Sequence, residues 1–195
     1  MYKLCKTEQS ARRQRELEQG LLVAMSNHHY EEITVSDLCE QMQIPRKSFY
    51  RYFSSKDGAL HALIDHTLLE FEGFSSVEGN ALKRTHQMDL ERFFRFWKER
   101  KALLDALARS GISGTLVLRS IDHALSNVGM PVRFLSHQER LTREHATMFG
   151  VCGLMSMVLN WHLNGFALSE SQMAAIAVEL LTKPLFSEPN RNGTM

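Results

Sequence analysis

The chain has 195 residues, with 23 Lys+Arg against 22 Asp+Glu for a formal net charge of +1, and it is 44% hydrophobic and 23% charged. That balance excludes collagen-like, disulfide-scaffolded and disordered classes and leaves an ordinary globular chain, long enough for one domain or for two small ones sharing a core. Net charge near zero says little about partners, so its local distribution matters more.

Four prolines, at 45, 131, 184 and 189, separate long segments with apolar spacings of three and four and no sustained strand-like alternation, which predicts an all-α chain. Leu17, Leu21 and Ala24, flanked by Leu22 and Met25, mark a first helix ending near Ser26, Asn27 and His28. A second, about two turns long, starts where Thr34 caps it with Asp37 three residues on, and it buries Leu38 and Met42. Gln43, Ile44 and Pro45 are too few for anything but a tight turn. A third helix is then expected over residues 46–53, with Phe49 and Phe53 or Tyr52 inward and Pro45 at a first helical position, where a missing N–H is tolerated. Ser54 is expected to cap a fourth helix, with Asp57 at the reciprocal position. Ala59, Leu60, Leu63, Ile64, Thr67 and Leu68 carry it to about residue 71, before a looser region over 73–79. Further helices are expected over 90–97 and 103–108, with a break near 98–101 and a close at 110–114. Leu118, Ile121, Leu125 and Val128 form the stripe of another, which stops at Gly129, Met130 and Pro131. The last two span about 136–163 and 169–183, the latter opened by a capping box of Ser169 with Gln172.

The first twenty residues mix basic and acidic side chains without an apolar run, which argues against a secretory or transit segment and gives a cytoplasmic expectation. The longest nearly apolar stretch, 149–159, has eleven residues including Ser156, against about 20 for a membrane span, so a buried helix and no membrane partner are expected. Cys5, Cys39 and Cys152 are scattered, odd in number and without C-x-x-C spacing, as reduced thiols are.

Residues 41–56 carry Arg46, Lys47, Arg51 and Lys56 with no acidic residue, and residues 3–15 add Lys3, Lys6, Arg12, Arg13 and Arg15 against Glu8 alone. Phosphate binding requires a local positive footprint of this kind, although a solvated charged face has the same composition. Two short helices joined by a three-residue turn, the second rich in cations, hydroxyls and tyrosines, make a helix-turn-helix. Its second helix lies in the major groove while the first crosses the backbone.

Over residues 10–69, and above all 44–63 (IPRKSFYRYFSSKDGALHAL), the chain resembles the DNA-binding domain of TetR-type regulators, whose most specific signature is an aromatic-rich recognition helix followed by a short Ser-Lys loop. The resemblance implies that Phe49 and Phe53 are buried, that Tyr50 and Tyr52 touch phosphate or base, and that Lys56 approaches the phosphate backbone from the start of the fourth helix. Arg46, Lys47, Ser48 and Arg51 then fall on exposed positions suited to base readout, since Arg and Lys donate to guanine O6 and N7. Thr34 would offer its hydroxyl and nearby N–H groups to a phosphate. The chain departs from the family pattern at Gln43 where Gly is usual, at Pro45 where a capping Ser is usual, and at Lys47 where a small residue is usual. Gln43 has to take the turn conformation at a steric cost. The implied organisation is a helix-turn-helix three-helix domain over 8–70, a helical ligand-binding and dimerisation domain over 71–187, and a disordered tail over 188–195.

Past residue 75 the resemblance weakens and the residues themselves carry the reading. Residues 145–166 are apolar almost all round, as in a helix buried on two sides. The last helix has one stripe of Met173, Ile176 and Leu180 and another of Ala174, Val178 and Leu181. These two helices are expected to supply half of an intersubunit four-helix bundle, with Met155, Leu159, Met173, Ile176 and Leu180 in the interface and Gly150 and Gly153 allowing close approach. A thick monomer core is the alternative. Dimerisation also follows from the DNA reading, because two recognition helices about one turn apart read an inverted repeat. Large apolar side chains are in surplus: besides Phe74, Phe94, Met130 and Trp161, the set of Phe71, Phe93, Trp97, Phe134, Met148 and Cys152, with His123 as polar anchor, suits a cavity for a small apolar effector. Each of these taken singly also fits an ordinary core.

No Gly-rich phosphate loop, G-x-S-x-G or H-E-x-x-H motif occurs, and His61 with Asp65 or His66 is a weak metal signal, so neither catalysis nor a cofactor is expected. The expected function is a ligand-responsive transcriptional regulator, a repressor that binds a palindromic double-stranded DNA operator as a homodimer. The alternative from another class is an all-helical interaction or ligand-carrier protein of the same fold whose DNA contacts have drifted.

Overall fold

The computed structural model describes residues 2, 3, 5, 7–77, 85–126 and 137–182. Among the described residues the chain is helical without a strand, and one isolated antiparallel bridge joins Tyr2 to Phe53. The first helix, α1 (Glu8–Asn27), begins where the Thr7 hydroxyl accepts from the Ser10 N–H at 3.2 Å. It buries Leu17, Leu21, Ala24 and Met25 on one stripe. A one-turn segment, Tyr30–Glu32, leads to α2 (Val35–Gln41), whose reciprocal Thr34–Asp37 capping bonds are those the spacing predicts.

The turn to α3 (Arg46–Tyr50) puts Gln43 at φ 53, the left-handed conformation expected where the usual Gly is missing. Helix α3 is shorter than the expected 46–53, and Pro45 stands at its N-cap with ψ 142 rather than inside it. The carbonyl of Tyr52 accepts from the Lys3 N–H at 3.0 Å, so the N-terminal segment draws the chain out of the helix before Phe53.

Helix α4 (Lys56–Val77) is capped by Ser55 rather than Ser54, the Ser55 hydroxyl accepting from the Gly58 N–H at 3.1 Å. It continues past residue 71 to Val77, contrary to the looser region expected from Gly73 onward, because Phe71 packs edge-on against Phe93 and Phe96 at 5.6 and 5.1 Å. Tertiary contact outweighs the local helix penalty of one glycine there.

The second half comprises α5 (His86–Glu99), α6 (Lys101–Arg109), α7 (Ser113–Ser126), α8 (His137–Leu163) and α9 (Glu170–Thr182). Arg100 makes the expected break between α5 and α6, and Gly111 at φ 67 turns the chain into α7. The stripe expected on α7 is displaced: Leu116 and Ser120 are buried, while Leu118 is 65% exposed. Helix α7 packs between α4 and α8, and the Leu116–Ser120 face is the one turned to them. The Ser169–Gln172 capping box at α9 is present, with Ser169 N–H donating to Gln172 Oε1 at 2.8 Å and Gln172 N–H to Ser169 Oγ at 3.2 Å. The expected stop at 129–131, Val128 and the tail 188–195 lie outside the described residues.

Helix α1 rests on α4 and α6, α5 on α9, and α7 on α8, around one continuous core that runs from Leu17 through Phe49, Ile64 and Trp97 to Trp161 and Ala177. Helix α4 is shared by both halves. Its start meets the turn before α2, where Tyr30 Oη donates to Asp57 at 2.5 Å, and its far end meets α5 through Phe71. Helix α8 corrects the expectation of an eleven-residue buried stretch. Leu141–Leu163 is long and apolar enough to cross a membrane by length and composition, with mean hydropathy 1.3, and only 17% of that window is buried in the chain. Packing along α7 covers one side of α8 and leaves Phe149 66% and Leu163 71% exposed.

Candidate nucleic-acid interface and effector cavity

On α3 the residues divide by face. Phe49 and, just beyond the helix, Phe53 are each 1% exposed and pack with ring centroids 5.2 Å apart, which seats this face of α3 in the core. Arg46, Lys47, Tyr50 and Arg51 are exposed, and Ser48 is half-buried. Tyr50 lies edge-on to Phe49 at 5.7 Å, so a buried ring orients an exposed one. Arg46 donates to the hydroxyl of Ser36 on α2, which holds its guanidinium beside the turn.

Three of the expected contact residues are placed differently. Tyr52 is 7% exposed, because its backbone is tied to Lys3 and its ring joins Phe53 in the core. Lys56 directs its ammonium inward, donating to the carbonyls of Tyr30 and, at 2.7 Å, Ile33 while lying 4.2 Å from the Tyr30 ring centroid. It therefore fastens the approach to α2 rather than facing outward. Thr34 gives both its N–H and its hydroxyl to Asp37 at 2.9 and 2.7 Å, and these bonds hold the Asp37 carboxyl below its usual range. A carboxylate thus already occupies the start of α2, where a phosphate was expected.

The two basic clusters of the sequence meet in space. Arg12 and Arg13 of α1 line a groove of about 460 Å³ together with Arg51 and Tyr52, though Glu16 pairs with both arginines, at 3.4 Å with Arg12 and 2.7 Å with Arg13. Arg12 and Arg13 were legible as part of a basic run, but nothing in their spacing placed them beside Arg51 and Tyr52 at the end of α3.

A second feature is a cavity of about 360 Å³ between α4, α5, α7 and α8. Phe71, Phe93, Trp97 and His123, four of the expected lining residues, do converge on it. Phe134 lies outside the described residues. Met148 is 40% exposed on α8, and neither it nor Cys152 lines the cavity, since the face of α8 turned inward is that of Val151, Leu154 and Met155. Leu68, Leu90, Ser120 and Ala124 line it as well, and of these Leu90 shares the 90–93–97 stripe of Phe93 and Trp97 and was legible from it. His123 Nε2 lies 2.9 Å from Glu72 Oε1 at this cavity, so helices α4 and α7 are bridged across it.

Of the expected interface residues, Met155 and Met173 are 2% and 6% exposed inside their own chain, which makes them core rather than contact. Leu159 is half-buried, and Ile176 and Leu180 are 41% and 42% exposed. Helices α8 and α9 pack on α7 and α5 respectively instead of along each other. No His/Cys/Asp/Glu cluster able to hold a metal occurs among the described residues.

Residues 23–63 match the family model described as bacterial regulatory proteins, tetR family. No curated protein matches the chain in sequence. Solved structures with a similar fold include the fatty acid degradation regulator FadR from Bacillus halodurans, with TM-score 0.60 at 14% identity over 93% of this chain and 98% of that one. The dihydroxyacetone kinase operon activator DhaS gives 0.54 at 16% over 87% and 93%. A tetR-family transcriptional regulator from Streptomyces coelicolor gives 0.51 at 16% over 88% and 79%. At these identities the likeness is one of fold, and it extends through both halves of the chain. The matched segment thus holds the helix-turn-helix and is similar to tetR-family regulatory proteins, and the all-helical fold around it is similar to that of these solved regulators.

Proposed function

We propose that this protein is a ligand-responsive transcriptional repressor that binds a palindromic operator as a homodimer and releases it when a small apolar molecule fills the cavity. The observation that carries the DNA reading is the division of α3: Phe49 is buried while Arg46, Lys47 and Tyr50, with Arg51 at the C-cap, stand exposed. These four, with Ser48 beside them, are the side chains a major groove would meet. A carrier protein of the same fold has no need of that arrangement.

A second copy of the chain supplies cover for the apolar surface of α8 and α9, where Phe149, Leu163, Ile176, Leu180 and Leu181 are each more than 40% exposed. The same pairing sets the distance between two recognition helices. A ligand between α4 and α7 acts on the helix that both halves share. Operator affinity falls because the ligand prefers the arrangement that cannot span two half-sites.

Selection from a random duplex library at two salt concentrations tests this. The expected result is an inverted repeat with half-sites about one DNA turn apart and affinity that falls steeply with salt. Recovery of no motif at either salt overturns the regulator reading in favour of the carrier.

A further inference from the structure

The basic run at the start of α1 divides in space. Arg15 turns to α4 and gives its guanidinium to Glu70 at 2.6 Å. Arg12 and Arg13 instead line the groove that α1 makes with the end of α3, together with Gln9, Ser10, Glu16, Arg51 and Tyr52. The Arg51 N–H donates to the Lys47 carbonyl at 3.1 Å, which places Arg51 one turn beyond Lys47 on the same side of α3. The groove therefore continues the exposed face that carries Lys47. The Arg51 guanidinium lies 5.9 Å from the centroid of the Tyr52 ring and meets no carboxylate among the described residues.

Glu16 is the one carboxylate in the lining, 2.7 Å from Arg13 Nη1 and 3.4 Å from Arg12 Nε, and three guanidiniums against it leave an excess of positive charge. The bond from Arg13, first among its causes, holds the Glu16 carboxyl below its ordinary range. Both pairs stand in solvent, with 83% of the Arg12 side chain exposed, and pairs of this kind add little stability. A phosphodiester offers the guanidinium fork the same paired acceptors as a carboxylate. The Ser10 hydroxyl, which accepts from Thr7 at 3.0 Å, has its own proton to give.

We propose that the groove between α1 and the end of α3 holds a phosphodiester of the DNA backbone, gripped by Arg12, Arg13 and Arg51, and that Glu16 stands in for that phosphate in the free protein. The site rests on the DNA reading above and extends it from the bases met by α3 to the backbone beside them. It carries affinity without sequence preference.

The test uses the full chain and a fluorescein-labelled 30-base-pair duplex of mixed sequence, with anisotropy titrations at several salt concentrations. In Arg12→Gln and in Arg13→Gln the slope of log affinity against log salt is expected to fall by about 1. In Glu16→Gln binding tightens about threefold, the worth of an exposed ion pair, and such a gain cannot arise from misfolding. Arg15→Gln removes the same charge from the same helix outside the groove, and its slope stays at the native value. On operator variants Arg13→Gln keeps the native rank order of sequences. An equal fall in Arg15→Gln, or no fall in the groove variants, overturns the site while native binding keeps the DNA reading. Weaker binding by Glu16→Gln overturns its role as stand-in, and a changed preference at one base position in Arg13→Gln overturns the backbone assignment. Failure of the native chain to bind the duplex even at low salt overturns the DNA reading itself.

Discussion

The Lys56 ammonium shows how a side chain can match a family position and still be occupied elsewhere. Its hydrogen bonds to the Tyr30 and Ile33 carbonyls close the turn before α2. Replacing it with Met is expected to cost about 2 kcal/mol of stability, as for lost charge-assisted bonds. The salt slope of operator binding stays unchanged, whereas loss of a phosphate contact would reduce it by about 1. Chemical denaturation and a salt titration of binding separate these. Arg46 and Lys47 are the opposite case: Arg46→Ala or Lys47→Ala is expected to weaken the preferred sequence by about 1–3 kcal/mol and relax preference at one base position, read by competition among operator variants. At Gln43, held at φ 53, substitution by Gly removes the side-chain clash and is expected to raise the thermal midpoint by about 2 °C.

Among the elements, the N-terminal segment is the one whose role was least visible. Residues 3–15 read as a basic run, yet the structure uses residues 2 and 3 as a strap: Lys3 bonds Tyr52, and the Tyr2 hydroxyl donates to Asp65 of α4 at 2.8 Å. Both Asp65 oxygens also accept from one edge of the Arg119 guanidinium on α7, Nε donating to Oδ1 at 2.8 Å and Nη2 to Oδ2. Burial first, and then the bond to Asp65, push the Tyr2 phenol up to about 12 from its ordinary 10.0. A pKa raised on folding means the neutral form is favoured in the native state, so this contribution is complete below pH 10 and lost as pH rises through about 12. Tyr2→Phe is therefore expected to be less stable than the native chain at pH 9, by about 1 kcal/mol, with the gap narrowing by pH 12; urea midpoints at both pH values check this. Helix identity and the caps at Thr34 and Ser169 were legible because they depend on residues three apart. The end of α4 and the inward face of α7 were not, because Phe93, Phe96 and α8 decide them from far along the chain.

For the whole molecule, the exposed faces of α8 and α9 carry the strongest expectation. Leu163→Glu or Phe149→Glu is expected to convert a dimer of twice the chain mass to a monomer in sedimentation, with operator binding lost and helix content kept. An unchanged sedimentation mass in both variants would place the interface elsewhere.

The sequence by itself determined the helical class and the pair of short helices around a three-residue turn, because these follow from periodicity, capping and spacing within some twenty residues, while the outward placement of the cations on α3 came from the resemblance over residues 44–63. It also named Phe71, Phe93, Trp97 and His123, but that they meet around one cavity is decided by the packing of α4, α5 and α7. Only the tertiary structure decided that Tyr52, Met155 and Met173 are core, that Lys56 and Thr34 are already bonded, and that Trp97 keeps an unmet donor. Those outcomes depend on which helix lies across each residue. A residue's own stripe says that it is buried or exposed, but the partner on the facing helix decides what its polar atoms meet.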